Sequence, residues 1–294
     1  MQRLMLIGKN GQLGWELQRA LATLGEVTAL DFPDIDLAHP ESLRQAIRSV
    51  SPHILVNAAA YTNVDKAESE PELAQKVNAE SPKVMAEEAN RLGAALIHYS
   101  TDYVFDGRKG SAYVETDRPN PLNVYGSTKL EGERRVQEVG GAYLIFRTSW
   151  VYSLRGNGFV TKVLQWARQQ PTLRIVDDQI GSPTWARMLA EATAQVIAQG
   201  RGDAVGYIKE KSGLYHLAGS GSCSRYEWAR EIIKYGLTKE TQMHIFVERA
   251  KSAEFPSPVN RPENSALEND LIFDTFVMEL LSWEEALQMA LQDR

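Results

Sequence analysis

RLMLIGKNGQLGWELQRALATLG, residues 3–25, passes from an apolar run through closely spaced glycines into a helical periodicity, and that order decides the fold. RLMLIG reads as a short buried strand. Beyond it Leu13, Leu17, Leu21 and Leu24 recur on one helical face before Gly25 closes the turn. Between the two, GKNGQLG sets Gly8, Gly11 and Gly14 three residues apart. The first permits a tight turn, the second lets the backbone approach a pyrophosphate, and the third lets the helix pack on the strand. The helix N-terminus attracts the phosphate charge. A helix entry that merely happens to be glycine-rich would look similar, and the spacing departs from the common G-x-G-x-x-G form. Its place directly after the first strand favours a dinucleotide site.

The same alternation continues. VTALD is a second strand, ESLRQAIRSV a helix with Leu43, Ala46, Ile47 and Val50 on one side, and HILVNAA a third strand. PELAQKVNAESPKVMAEEANRLG reads as helix with a break expected near Pro82, and AALIHYS as a fourth strand. Strands that alternate with helices and are rich in Val, Ile, Leu and Ala are parallel and buried on both faces. The predicted class is therefore α/β, a Rossmann-like doubly wound parallel sheet. A helix from about Val124, a strand in AYLIFRTSWVY, a helix around FVTKVLQWARQ, a short strand LRIV and a helix in TWARMLAEATAQVIAQ follow.

Past residue 200 the pattern loosens. RGDAVGYIKEKSG reads as an exposed connection, YHLAG as a strand, SRYEWAREIIKYG as an amphipathic helix and PSPVNRPENSALEND as a long polar loop. The expected division is a nucleotide-binding domain over 1–152 and a smaller, mainly substrate-binding domain over 153–294, with later elements able to rejoin the first sheet.

The formal net charge of −6 argues against a nucleic-acid partner, which calls for a basic face. Cys223 is the single cysteine, so no intrachain disulfide and no multi-thiolate zinc site can form, and a reducing cytoplasm is expected. The apolar run Leu4 to Ile7 is too short for a secretory signal or a membrane span.

Asp31, ending the second strand, stands where an acid would bond an adenosine ribose, although a turn aspartate would also fit. Lys9 pulls the other way, since its charge would accept a 2′-phosphate. Asn57 to Ala59 end the third strand with small residues against which a ring or ribose can lie.

Tyr125 and Lys129 are four residues apart in PLNVYGSTKLEGE, a spacing shared by Tyr207 and Lys211 and by Tyr235 and Lys239. Reduction of a carbonyl by hydride needs a proton donor, and a tyrosine of pKa about 10 needs a nearby cation and a partner hydroxyl to serve. HYSTDYVFDG supplies Ser100 and Thr101 at the end of the fourth strand, and alternation lets only one of them face the cleft. Tyr207 sits in a charged connection, and Gly236 ends the helix after Tyr235. Only Tyr125 follows a strand that ends in a hydroxyl cluster.

GKNGQLG, STDYVFDG, YGSTK and RTSWVY together resemble the extended short-chain dehydrogenase/reductases, and within them the dTDP-4-dehydrorhamnose reductase family. The similarity extends through VNAAAYTNVDKAESEPELAQKVN, DDQIGSPTWA and RPENSALEND. It implies Thr101, Tyr125 and Lys129 as the catalytic set, and contacts to NADPH or NADH from Gly11, Gln12, Leu13, Asp31, Asp36, Leu37, Ala59, Ala60 and Thr62. Thr101, Asp102 and Trp150 are implied to hold the dTDP-sugar, which is reduced at its 4-keto group on the way to polysaccharide. Taken alone, Trp150 could equally be a core aromatic and DQIGSPTWA a turn capping a helix at Thr184. Arg261 is a candidate pyrophosphate clamp from its own chemistry. Some members of the family form homodimers, in part of the family with magnesium held by carboxylates such as Glu16; no metal ligand is assigned here. The competing readings are a nucleotide-binding regulatory subunit like that of methionine adenosyltransferase, and a reductase of another 4-keto deoxysugar nucleotide.

Overall fold

The computed structural model describes residues 1–292. β1 (Arg3–Ile7), α1 (Gln12–Leu21), β2 (Glu26–Leu30), α2 (Pro40–Val50) and β3 (Ile54–Asn57) come first, then α3 (Val64–Ala67), α4 (Pro71–Gln75), a π-helical stretch Lys76–Glu80, α5 (Ser81–Leu92) and β4 (Ala95–Thr101). After a loop come α6 (Val124–Val139) and β5 (Ala142–Thr148). Alternation divides each strand between two cores: Leu4 and Leu6 pack with Leu17 and Leu21 of α1 on one face. Met5 and Ile7 pack with Leu43, Ile47 and Met85 on the other.

The sheet is wholly parallel, in the order β10-β5-β4-β3-β1-β2, where β10 is Gly213–His216. Consecutive connections run outward to opposite sides from β1, so a crevice opens at the carboxyl ends of β1 and β3. It is there that the glycine turn lies.

No break occurs at Pro82. A proline cannot donate to the carbonyl four residues back, and the turn before it widens instead, so that the Ser81 N–H reaches Lys76 O. Gly132 of α6 packs on this widened turn: a Cβ there would stand 2.2 Å from Asn78 O.

The rest of the chain comprises β6 (Val151–Tyr152), α7 (Phe159–Gln169), β7 (Thr172–Val176), β8 (Ile180–Gly181), β9 (Thr184–Trp185), α8 (Ala186–Gln199) and α9 (Ala204–Glu210). After β10 come β11 (Cys223–Ser224), α10 (Arg225–Gly236), α11 (Lys239–Gln242), β12 (Phe246–Ala250), α12 (Asp270–Phe276) and α13 (Trp283–Gln292). Leu189 and Val196 of α8, Ile208 of α9, and Ile272 and Phe276 of α12 belong to the core of the large sheet. A second core gathers Val163, Leu164, Trp185, Trp228, Ile232 and Leu287.

Three local readings are corrected. AYLIFRTSWVY is two strands, β5 and β6, parted at Trp150, whose φ of 45° lies in the left-handed region. The supposed connection RGDAVGYIKEKSG contains α9, because the Asp203 side chain accepts from Gly206 N and caps it. Thr184 is not a cap: it sits in β9, its hydroxyl bonded to Ser182 O and accepting from Gly219 N. LRIV is the short strand expected and pairs with β12, whose mostly exposed, charged FVERA gave no strand signal. Among the described residues no helix is long and apolar enough to cross a membrane.

Candidate active site

The glycine turn is built by two kinds of necessity. Gly8 has φ +94° and a Cβ there would lie 2.7 Å from Ala59 N, while one on Gly14 would lie 1.8 Å from Gly8 O. The fold itself demands both glycines. A Cβ on Gly11 would meet only Gly8 O, at 3.5 Å, so its bareness serves whatever approaches from outside. Gly11 is also the N-cap of α1 without any side-chain cap, and the first turn holds no acid. Uncapped N–H groups over a bare cradle suit a pyrophosphate.

Above this turn lies a cleft of about 510 Å³. Gly8, Gly11, Gln12 and Leu13 line it from the turn, Asp31 from the end of β2, Ala59, Ala60 and Thr62 from beyond β3. Thr101 and Asp102 line it from the end of β4, Tyr125 and Lys129 from α6, and Trp150 from the end of β5. Three expected residues do not line it. Gly14 packs beneath the turn. The Asp36 carboxylate accepts from Ala38 N and meets the His39 ring, and the Leu37 carbonyl accepts from Ser81 Oγ.

Sequence reasoning missed Tyr99, Thr148 and Val151, which also line the cleft. Thr148 Oγ1 is buried with no hydrogen-bond partner among the described residues. Its place at a strand's carboxyl end was the available signal.

Both Ser100 and Thr101 line the cleft, and what separates them is the partner each hydroxyl has. Ser100 Oγ donates to Glu133 Oε1 at 2.5 Å, and Glu133 is in turn bound by Arg147 through Nε at 2.9 Å and Nη2 at 2.6 Å, all buried. This pair locks α6 to β4 and β5. Thr101 accepts from Tyr103 N at 3.2 Å, donates to Asp102 Oδ1 at 3.1 Å, and is the hydroxyl that bears on Tyr125. Asp102 also accepts from Ser149 Oγ at 3.0 Å and from Ser265 Oγ at 2.5 Å, the latter from the long polar loop. Burial raises the Asp102 carboxyl and these hydroxyls oppose it.

Lys129 does not bond Tyr125. Its Nζ donates to Tyr99 O at 2.6 Å and stands 3.5 Å from His98 Nε2. Burial lowers its pKa to about 8, Glu133 opposing. The Tyr125 phenol is raised, by burial first, with Thr101 pulling it down. The expected direct stabilisation of the phenolate by Lys129 is thus absent from the protein alone.

Asp31 accepts from Asn10 N at 2.9 Å and Phe32 N at 2.8 Å, so it shapes the turn as well as facing the cleft. Lys9 is paired with Asp34 at 2.6 Å. Arg261 lies off the cleft, its Nη2 held by both oxygens of Asp65 at 2.8 and 2.9 Å. Tyr207 and Lys211 are spent on Gln199 and the Thr275 carbonyl. Trp150 packs against Gly181, where a Cβ would fall 2.4 Å from its ring. That fit, with Trp228 stacked at 5.5 Å, holds a bulky residue at positive φ.

Residues 1–294 match the family described as RmlD substrate binding domain. The dTDP-4-dehydrorhamnose reductase of Escherichia coli strain K12 is 42% identical over 296 residues, covering 99% of this chain and 97% of that protein. That of Burkholderia thailandensis is 41% identical over 295 residues, covering 99% and 98%. A crystal structure of dTDP-4-dehydrorhamnose reductase from Bacillus anthracis in complex with NADP superposes with a TM-score of 0.90, at 33% identity and 100% coverage of both chains. A glycine-turn cleft with Thr101, Tyr125 and Lys129 at its wall, a full-length family match and relatives of this identity together place the chain in the dTDP-4-dehydrorhamnose reductase family.

Proposed function

We propose that this chain reduces the 4-keto group of dTDP-4-dehydro-L-rhamnose to give dTDP-L-rhamnose, with NADPH or NADH as donor. The observation that carries the reading is the convergence of Thr101 and Tyr125 on the cleft that the bare Gly11 turn floors. Gly8, Gly11, Gln12, Leu13, Ala59, Ala60 and Thr62 form the cradle for the dinucleotide, with Asp31 toward its ribose and Gly14 packed beneath the turn. When bound, the nicotinamide supplies a hydride to the keto carbon.

The chain's own residues manage the oxygen. Thr101 turns its one hydroxyl proton from Asp102 Oδ1 to the carbonyl, and Tyr125 gives its phenolic proton to the oxygen as charge develops there. Lys129, an ammonium anchored on Tyr99 O, provides the cation beside the ribose and the phenol. Asp102 and Trp150 hold the sugar against them. The single buried thiol, Cys223, suits a cytoplasmic enzyme.

Purified protein mixed with NADPH and the 4-keto sugar nucleotide should lose nicotinamide absorbance and yield dTDP-L-rhamnose by chromatography. No turnover with either nicotinamide would defeat the reading.

A further inference from the structure

Against Trp150, which lines the cleft, lies a cation that takes no side-chain acceptor among the described residues. Arg225, the first residue of α10, lays its guanidinium carbon 3.5 Å from the centre of the Trp150 ring, with Phe159 at 4.9 Å and Trp228 at 5.4 Å. Stacking occupies the faces of a planar guanidinium and leaves its N–H edge for hydrogen bonds. Among the described residues nothing takes that edge; only the Arg225 backbone N–H is bonded, to Gln179 O at 3.1 Å.

A cation held among aromatic rings is costly without a counter-charge. Burial lowers the Arg225 guanidinium to about 10, and Tyr103, Asp102 and Cys223 oppose this only in part. Asp102 attracts it, yet that carboxylate already accepts from Thr101, Ser149 and Ser265 and is itself pushed toward neutrality. Arg261, a like charge, opposes it even though its own Nη2 is paired with Asp65. Tyr103, edge-on to Tyr125 with ring centres 5.7 Å apart, feels both arginines. Positive charge thus gathers beside Trp150 and Tyr103, on the substrate side of the proton donor.

We infer that Arg225 anchors the diphosphate of the sugar nucleotide, an inference that rests on the activity proposed above. Phosphate oxygens match the spacing of a guanidinium fork and bring the missing charge. Arg261, the arginine singled out in the sequence, is already engaged, its Nη2 on both oxygens of Asp65 and its Nη1 on Ser257 Oγ. The aromatic stack serves to hold the Arg225 plane fixed before the ligand arrives.

The test compares wild type, Arg225→Gln and Arg225→Lys, each saturated with NADPH and titrated calorimetrically with dTDP and with thymidine. Arg225→Gln should bind dTDP roughly 10- to 100-fold more weakly and thymidine as wild type does, with Arg225→Lys between. In turnover the loss should fall on KM rather than kcat. An Arg225→Gln protein that binds dTDP like wild type overturns the assignment. So does one that loses dTDP and thymidine equally, which marks an architectural cation–π box. If the variants do not fold, phenylglyoxal labelling of wild type decides. Shielding of Arg225 by dTDP but not by thymidine supports the anchor; equal labelling with and without dTDP overturns it. A wild-type protein that shows this shielding but reduces no 4-keto sugar would sink the proposed activity and leave the anchor standing.

Discussion

His98 Nε2 stands 3.5 Å from Lys129 Nζ, and the far side of that ring decides what it offers. Asn57 Oδ1 accepts from Ala59 N at 3.1 Å, which turns its amide so that Nδ2 donates to His98 Nδ1 at 3.0 Å. The neutral ring then carries its proton on Nε2, facing the lysine. A donor pointed at an ammonium disfavours it, in line with the burial that lowers Lys129 to about 8. Glu133 on α6 opposes this, Arg147 of β5 is paired with Glu133, and Tyr125 and Asp102 complete the ionisable surroundings.

The ammonium is therefore present below about pH 8 and lost above it. If it assists Tyr125, kcat/KM should fall with an alkaline limb near that pH. A profile from pH 6 to 10 checks this, and a flat one would remove Lys129 from the proton path.

The same burial makes Lys129 a stability cost. Folded and unfolded forms are both protonated at pH 7, and the folded one keeps the charge in a site that is 2% exposed. Lys129→Met should unfold at higher urea than wild type, by about 1 to 3 kcal/mol, although it loses activity. The gap is full below pH 8 and closes as pH rises from 8 toward the ordinary lysine value of 10.5, because the folded wild type sheds its proton first. Urea midpoints at pH 7 and 10 measure it.

Tyr125→Phe removes a proton donor and almost no surface. Turnover should drop by about 10²- to 10⁴-fold with NADPH affinity unchanged by fluorescence titration. Near-normal turnover would move the donor elsewhere.

Gly11→Ala and Gly14→Ala should separate ligand from fold. At Gly11 the new Cβ meets only Gly8 O at 3.5 Å, so the melting temperature should hold while NADPH binding weakens. At Gly14 it would be driven to 1.8 Å from Gly8 O, so the protein should lose several degrees whether or not cofactor is present. Thermal melts with and without NADPH distinguish the two.

The buried Arg147–Glu133 pair should be expensive to halve. Arg147→Met leaves Glu133 buried with Ser100 as its remaining bonded partner, and the cost should be about 3 to 5 kcal/mol by urea unfolding. A loss under about 1 kcal/mol would show that the triad does not hold α6 in place.

How much of this was legible in the sequence depended on range. Leu13, Leu17 and Leu21 announce α1, and the apolar runs announce β1, β3 and β4, because their periods are local and their burial is on the page. Tyr125 was separable from Tyr207 and Tyr235 by its neighbours in sequence. What Lys129 touches was not, since Tyr99 and His98 reach it across helix and sheet. Nor did any spacing show that Asp65 claims Arg261, 196 residues away. β12 escaped because an exposed two-stranded ribbon needs no apolar alternation. Pro82 misled because a widened turn absorbs it as well as a break would.

Asp102 closes one of these long-range circuits, taking a hydrogen bond from Ser265 far along the chain, while β10 covers the edge of β5 and α12 lies against the same core. A ribosome that has released only the first 152 residues has therefore made every member of the Thr101, Tyr125 and Lys129 set but no working site. Completion waits for the last third of the chain to arrive, which makes enzymatic activity a late reporter of assembly.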